Sequence, residues 1–221
     1  MQNFPSVLEN ISDLSFNQIN SLLSLARQFK QNPDQLLGKS LIPNRRPVVA
    51  NSFFEHSTRT KNSFALSAYH LGCHYIDFQA DSSSLKKGES LEETLLTLYA
   101  QGVDLCVIRT SESRAFSGFK EAPPIKIING GDGTNQHPTQ ALVDLFTMQE
   151  LGLELEGKTM AIIGDARHSR VTHSLIELLP QFGAKIVLCG PESFHPEEEL
   201  PQGVSVTSDL DDAIMGADYL Y

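Results

Sequence analysis

Short apolar runs separated by amphipathic stretches recur along the chain in one order, strand then loop then helix, and this order constrains the fold more than any other feature. The apolar runs are Val48 to Phe54, Cys73 to Phe78, Val103 to Arg109, Ile125 to Asn129, Met160 to Gly164, Lys185 to Cys189, Val204 to Val206 and Tyr219 to Tyr221. Strands separated by helices pair in parallel, each helix crossing back over a sheet face. The expected class is therefore α/β, and eight strand candidates suggest two doubly wound parallel sheets. Helices are expected to begin near Thr58, Ser90, His137, Arg170 and Asp209, with Gly72, Gly102, Gly152 and Gly183 closing several of them. Ahead of the series, Ser15 and Gln18 have capping-box spacing, followed by Phe16, Ile19, Leu22, Leu23, Ala26 and Phe29 at helical intervals. Asn32-Pro33 ends that first helix.

The stretch from Glu150 to Lys158 closes one long helix and opens a new strand-helix series, so a first domain is expected over residues 1–150 and a second over 151–221. The last residues, Ala217-Asp218-Tyr219-Leu220-Tyr221, read as the start of a buried strand with no covering helix after it. The second domain is therefore expected to be incomplete at its C-terminus.

Composition narrows the function classes. With 40% hydrophobic residues the chain can bury real cores, which argues against disorder. Acidic residues outnumber basic ones 27 to 17, and no dense Lys/Arg run is present to follow a nucleic-acid backbone. No apolar stretch is long enough to span a bilayer, and the start lacks a basic segment leading into an apolar one, so a cytoplasmic protein without membrane or nucleic-acid partners is expected. Cys73, Cys106 and Cys189 form no CxxC pair and read as reduced residues of the core. His168 and His173 are five apart, not the four that align two ligands on a helix, so no metal site is expected.

Three segments carry chemistry. In the first, the apolar strand ending at Phe54 runs into Glu55-His56-Ser57-Thr58-Arg59-Thr60-Lys61, a hydroxyl-rich basic turn that opens a helix. A helix N-terminus offers unpaired N–H groups and a positive dipole end, Ser57, Thr58 and Thr60 add hydroxyls, and Arg59 adds a planar fork suited to phosphate oxygens. On local composition alone, a well-capped helix with a surface arginine explains the turn equally well. The second is Arg109, at the carboxyl end of a strand, where open α/β sheets bind ligands. The third, Gly130 to Gln140, reads as a flexible glycine-rich loop entering a helix whose first turn carries His137 and Gln140, with Pro138 marking the start. His137 and Gln140 share a helical face, so an imidazole and a carboxamide can address one small ligand. A plain capping histidine is the alternative.

The segments Phe53 to Thr60, Ser83 to Ser90, His137-Pro138-Thr139-Gln140 and Gly164 to Val171 resemble, in order and spacing, the motifs of aspartate carbamoyltransferase catalytic chains within the aspartate/ornithine carbamoyltransferase superfamily. The Ser-Thr-Arg-Thr turn and the His-Pro-x-Gln element mark the superfamily. Thr139 and the His168-Ser169-Arg170 run resemble the aspartate branch. The resemblance implies transfer of a carbamoyl group from carbamoyl phosphate to L-aspartate, the committed step of de novo pyrimidine synthesis, with no cofactor. It implies that Ser57, Thr58, Arg59, Thr60 and Arg109 hold the phosphate. It further assigns His137, Arg59 and Thr60 to the carbonyl oxygen as the catalytic groups, Gln140 to the amino end and Arg170 to the α-carboxylate of aspartate. Ser83 and Lys87 match a loop that reaches into a neighbouring subunit's site, which implies a homotrimer with shared active sites, Lys87 also meeting aspartate. A regulatory subunit is left open.

In this scheme His137 donates a hydrogen bond as a neutral imidazole, and a substrate phosphate oxygen takes the amine's proton. The family's chain continues past the position matching Tyr221, with a further Arg and Gln for the acceptor's side-chain carboxylate, so the phosphate half of the site is better represented than the aspartate half. His56 departs from the small residue or proline expected there. An ornithine enzyme and a silent ligand-binding subunit are the rivals; a dinucleotide-binding domain is disfavoured because no GxGxxG follows Ile163.

Overall fold

The computed structural model describes residues 3–33, 44–78 and 90–221. Ser83 and Lys87 lie outside the described residues. The chain forms two compact units, one of Met1–Glu9 with Asp13–Asp132 and the other of Asn10–Ser12 with Gly133–Tyr221. The expected α/β class with two parallel sheets is what the structure has.

In the first unit, five described strands, β1 (Val7–Leu8), β2 (Val48–Phe53), β3 (His74–Phe78), β4 (Leu105–Thr110) and β5 (Lys126–Asp132), lie in the order β1-β5-β4-β2-β3, every pair parallel. Side chains alternate across this sheet. Ala50, Cys106, Ile108 and Ile127 join one core with Leu95 and Leu98 of helix α3 (Leu91–Ala100) and with Phe116. Val49 and Val107 join another with Ala68 and Phe64 of helix α2 (Thr58–His70). Burial on both faces explains why the inner strands β2, β4 and β5 read as largely apolar runs.

Helix α1 (Phe16–Gln31) and α3 start where their capping boxes predict: Ser15 Oγ accepts from Gln18 N while Gln18 reaches back to Ser15 N, and Ser90 and Glu93 repeat the arrangement. Of the apolar stripe expected on α1, Ile19 and Leu23 are buried, whereas Phe16 is 46% exposed.

Two differences from the sequence reading have clear causes. Strand β1 is only two residues long, too short to show a period, and is held by Ile127 N donating to Ser6 O at 2.9 Å. The segment Gly130-Gly131-Asp132, read as flexible loop, instead extends β5. The buried Asn129 side chain holds it there, accepting from Gly131 N at 2.7 Å and donating to Asp132 Oδ1 at 2.6 Å. Glycine at 130 suits the close approach of β4, because a Cβ there would lie 3.2 Å from Ile108 O.

In the second unit, β6 (Thr159–Ile163), β7 (Lys185–Cys189), β8 (Val204–Thr207) and β9 (Tyr219–Leu220) form a parallel sheet in the order β8-β7-β6-β9. Helices α4 (Pro138–Glu150), α5 (Arg170–Leu178) and α6 (Leu210–Met215) belong to this unit. Helix α4 packs against α5, so the compact unit begins at Gly133 although the expected boundary lies at residue 150. Gly183 takes a φ of 79°, the left-handed turn its closing position requires. No described helix is long and apolar enough to cross a membrane.

Candidate active site

In the first unit, β2 and β4 are register neighbours, with Phe53 opposite Arg109, so the turn after β2 and the arginine ending β4 emerge at one sheet edge. The backbone locks this by Phe54 N donating to Arg109 O at 2.8 Å. Arg109 Nε donates to Glu55 Oε2 at 3.0 Å and its Nη1 to Ser57 Oγ at 3.4 Å. Glu55 thus grips one end of the guanidinium and turns the other toward the start of α2. Ser57 is the N-cap residue, yet its side chain makes no capping bond to the helix. An N-cap hydroxyl ordinarily satisfies an N–H of the first turn. Here that turn, carrying Thr58, Arg59 and Thr60, is left for another acceptor, with Thr58 and Arg59 exposed. Asn51, buried on β2, donates to Lys61 O at 3.0 Å and pins the same turn to the sheet.

In the second unit, His137 caps α4 and is only 6% exposed. Its backbone N donates to Ser174 Oγ at 2.9 Å, and Ser174 donates to Gln136 Oε1 at 2.6 Å. Gln136 Nε2 in turn donates to Glu177 Oε1 at 2.7 Å. One turn before Ser174 on α5, Arg170 Nη1 donates to Gly133 O at 3.1 Å, and next to Ser174 the His173 Nδ1 lies 3.1 Å from Asn135 O. Positions 170, 173, 174 and 177 follow helical spacing, so a single face of α5 holds the whole segment from Gly133 to His137. The hydroxyl of Thr139 lies 3.4 Å from His137 Nδ1. Gln140, one turn into α4, donates from Nε2 to Asp144 Oδ1 at 2.9 Å, and Asp144 Oδ2 accepts from the Tyr221 hydroxyl at 3.0 Å. Burial, and then the charge and hydrogen bond of Asp144, push the Tyr221 phenol up to about 12.

Within the first unit, then, Ser57 and Arg109 meet and Thr58, Arg59 and Thr60 share the adjoining turn. Within the second, His137 and Gln140 share the start of α4, and Arg170 meets the loop before it. Glu55, Ser174, Glu177 and Asp144 were not singled out by the sequence reading. Asp144 stands four residues after Gln140 and Glu177 seven after Arg170, spacings that could have flagged both. The described residues contain no cluster of three or more His, Cys, Asp or Glu side chains able to hold a metal ion. An uncapped helix start beside an arginine suits a phosphate dianion; an imidazole and a carboxamide at a second helix start suit a small polar carbonyl compound.

Comparison with known proteins defines the class. Residues 7–150 match the carbamoyl-phosphate-binding domain model of aspartate/ornithine carbamoyltransferases, and residues 156–221 match the Asp/Orn-binding domain model of the same proteins. The chain belongs to the aspartate/ornithine carbamoyltransferase family. Within it, the chain is 46% identical over 218 residues to the aspartate carbamoyltransferase catalytic subunit of Solibacter usitatus, covering 98% of this chain and 72% of that protein. It is 43% identical over 214 residues to the corresponding subunit of Chlorobium phaeovibrioides, covering 96% and 68%. Among solved structures, aspartate transcarbamoylase from Trypanosoma cruzi in complex with carbamoyl phosphate and aspartate superposes with a TM-score of 0.79 at 30% identity, covering 97% of this chain and 75% of that one. The same enzyme with N-(phosphonacetyl)-L-aspartic acid gives 0.79 at 30% identity, covering 97% and 70%.

Proposed function

We propose that this chain transfers the carbamoyl group of carbamoyl phosphate to the amine of L-aspartate, yielding N-carbamoyl-L-aspartate and phosphate. The observation that carries the reading is Arg109 reaching Ser57 at a helix start whose capping hydroxyl is not spent on the helix. Ser57, Thr58, Arg59, Thr60 and Arg109 bind the phosphate. His137, with Arg59 and Thr60, donates to the carbonyl oxygen, Gln140 accepts from the amino end, and Arg170 holds the aspartate α-carboxylate.

The amine nitrogen attacks the carbamoyl carbon, negative charge grows on the carbonyl oxygen, and the carbon–oxygen bond to phosphate then breaks. The amine's proton leaves to a phosphate oxygen. No enzyme nucleophile takes part; the residues orient two anions and stabilise the oxyanion. The proposed role needs His137 as a neutral donor from Nε2, and the Thr139 hydroxyl, 3.4 Å from Nδ1, is placed to donate to that nitrogen in this tautomer. The chain works as a homotrimer in which Ser83 and Lys87 of a neighbouring subunit complete each site. The cytoplasm is the compartment that suits three unpaired thiols.

The test is an assay of carbamoyl phosphate with L-aspartate and, separately, with L-ornithine. Formation of N-carbamoyl-L-aspartate and not of citrulline supports the reading. Citrulline formation, or binding of neither substrate, overturns it.

A further inference from the structure

A carboxamide has two chemically opposite ends, and which one a glutamine presents to its ligand depends on what holds the other. Asp144 Oδ1 lies 2.9 Å from Gln140 Nε2 on the same face of α4, and its second oxygen takes the Tyr221 hydroxyl at 3.0 Å. An ionised carboxylate only accepts hydrogen bonds, so the nitrogen end of Gln140 must face it. Gln140 Oε1 has no protein partner among the described residues. We propose that Asp144 is a positioning residue that locks the Gln140 carboxamide with its oxygen toward the ligand, and that this lock selects an acyl phosphate bearing an N–H donor on its carbonyl carbon. The inference rests on the proposed function and deepens it: it names the device by which a carbamoyl group is told from an acetyl group of nearly the same size and shape. Tyr221 is the second anchor, tying the carboxylate on α4 to the residue that follows β9.

An ordinary helix-surface pair between Gln140 and Asp144 would also give this distance, and it predicts a different response to substitution. Asparagine at 144 can donate to Gln140 Oε1, allowing the carboxamide to turn its nitrogen toward the ligand. The experiment measures kcat/KM with L-aspartate as acceptor for carbamoyl phosphate and for acetyl phosphate, in which methyl replaces amino. In parallel, calorimetry measures the affinity for N-(phosphonacetyl)-L-aspartate, which has a methylene on the phosphorus side of its carbonyl and no carbamoyl amino group.

The expected result is a preference for carbamoyl over acetyl phosphate in the parent that falls at least about tenfold in Asp144→Asn, the scale of one lost hydrogen bond to a specificity group. Affinity for the bisubstrate analogue should stay within about twofold, since no donor meets Gln140 there. Tyr221→Phe, which removes only one anchor, should lower the preference in the same direction and by less. An unchanged carbamoyl-to-acetyl ratio in Asp144→Asn, or an equal loss for both substrates and the analogue, overturns the lock while leaving carbamoyl transfer standing. A parent that binds neither carbamoyl phosphate nor the analogue overturns the function itself, and the lock with it.

Discussion

His137 is nearly sealed from solvent at a helix start, its backbone held by Ser174 and its ring beside Thr139. A group so restrained is suited to donating to an oxyanion, because it pays little reorganisation when charge appears. His137→Ala should lower turnover on the order of 10²–10³-fold, read by steady-state kinetics alongside a circular dichroism spectrum that stays unchanged. Arg170 has a different assignment, and Arg170→Ala should raise the KM for aspartate while carbamoyl phosphate affinity, measured by calorimetry, holds. Equal losses for both substrates would show that its bond to Gly133 O serves the loop instead. Cys106 offers a check on the core: it is fully buried beside Ser52, and burial pushes its thiol up to about 12. A thiol reagent at neutral pH should label Cys73 in the native protein and reach Cys106 only after denaturation, because reactivity follows thiolate and access.

At the level of elements, one face of α5 holds the segment from Gly133 to His137. Ser174 is fully buried and serves both His137 N and Gln136 Oε1. Ser174→Ala strands both groups, and urea unfolding should show a loss of about 1–3 kcal/mol, with turnover falling further than stability alone explains. Little of this face was legible beforehand, because it depends on tertiary pairing of polar side chains with groups 37 or more positions away. The strands were legible for the opposite reason: largely buried on both faces, β2, β4, β6 and β7 each carry a mostly apolar run bounded by turn residues. Capping residues were legible too, since Ser15 and Gln18 act within four positions and the helix start expected near Ser90 is the one Ser90 caps. The glycines at 130 and 131 misled because glycine marks loops by composition, whereas here Gly130 permits a close strand approach and Gly131 N is held by Asn129. The candidate site residues came from the motifs and the family resemblance they carry; Asp144 was within reach of helical spacing, whereas Glu55 and Ser174 as partners required coordinates.

For the molecule as a whole, pH gives a signed prediction. The Tyr221 phenol is raised above its ordinary value of 10.0 to about 12 in the folded chain, so the folded state holds this proton more tightly. Its contribution to stability is therefore fully present below pH 10 and is lost as pH climbs toward 12. The gap in melting temperature between the parent and Tyr221→Phe should be constant up to that range and close within it. Assembly is tested by sedimentation: a trimer is expected, and an inactive monomer that regains activity on association would fit sites completed by Ser83 and Lys87 of a neighbour. The proposed function requires the cationic and hydroxyl groups around α2 and the imidazole opening α4 to act on one small ligand. Calorimetric titration of N-(phosphonacetyl)-L-aspartate into the parent, Arg109→Ala and His137→Ala proteins tests it most directly. The account predicts one site per chain in the parent, weakened at least about tenfold by each substitution. Binding that ignores one of the two substitutions would contradict it.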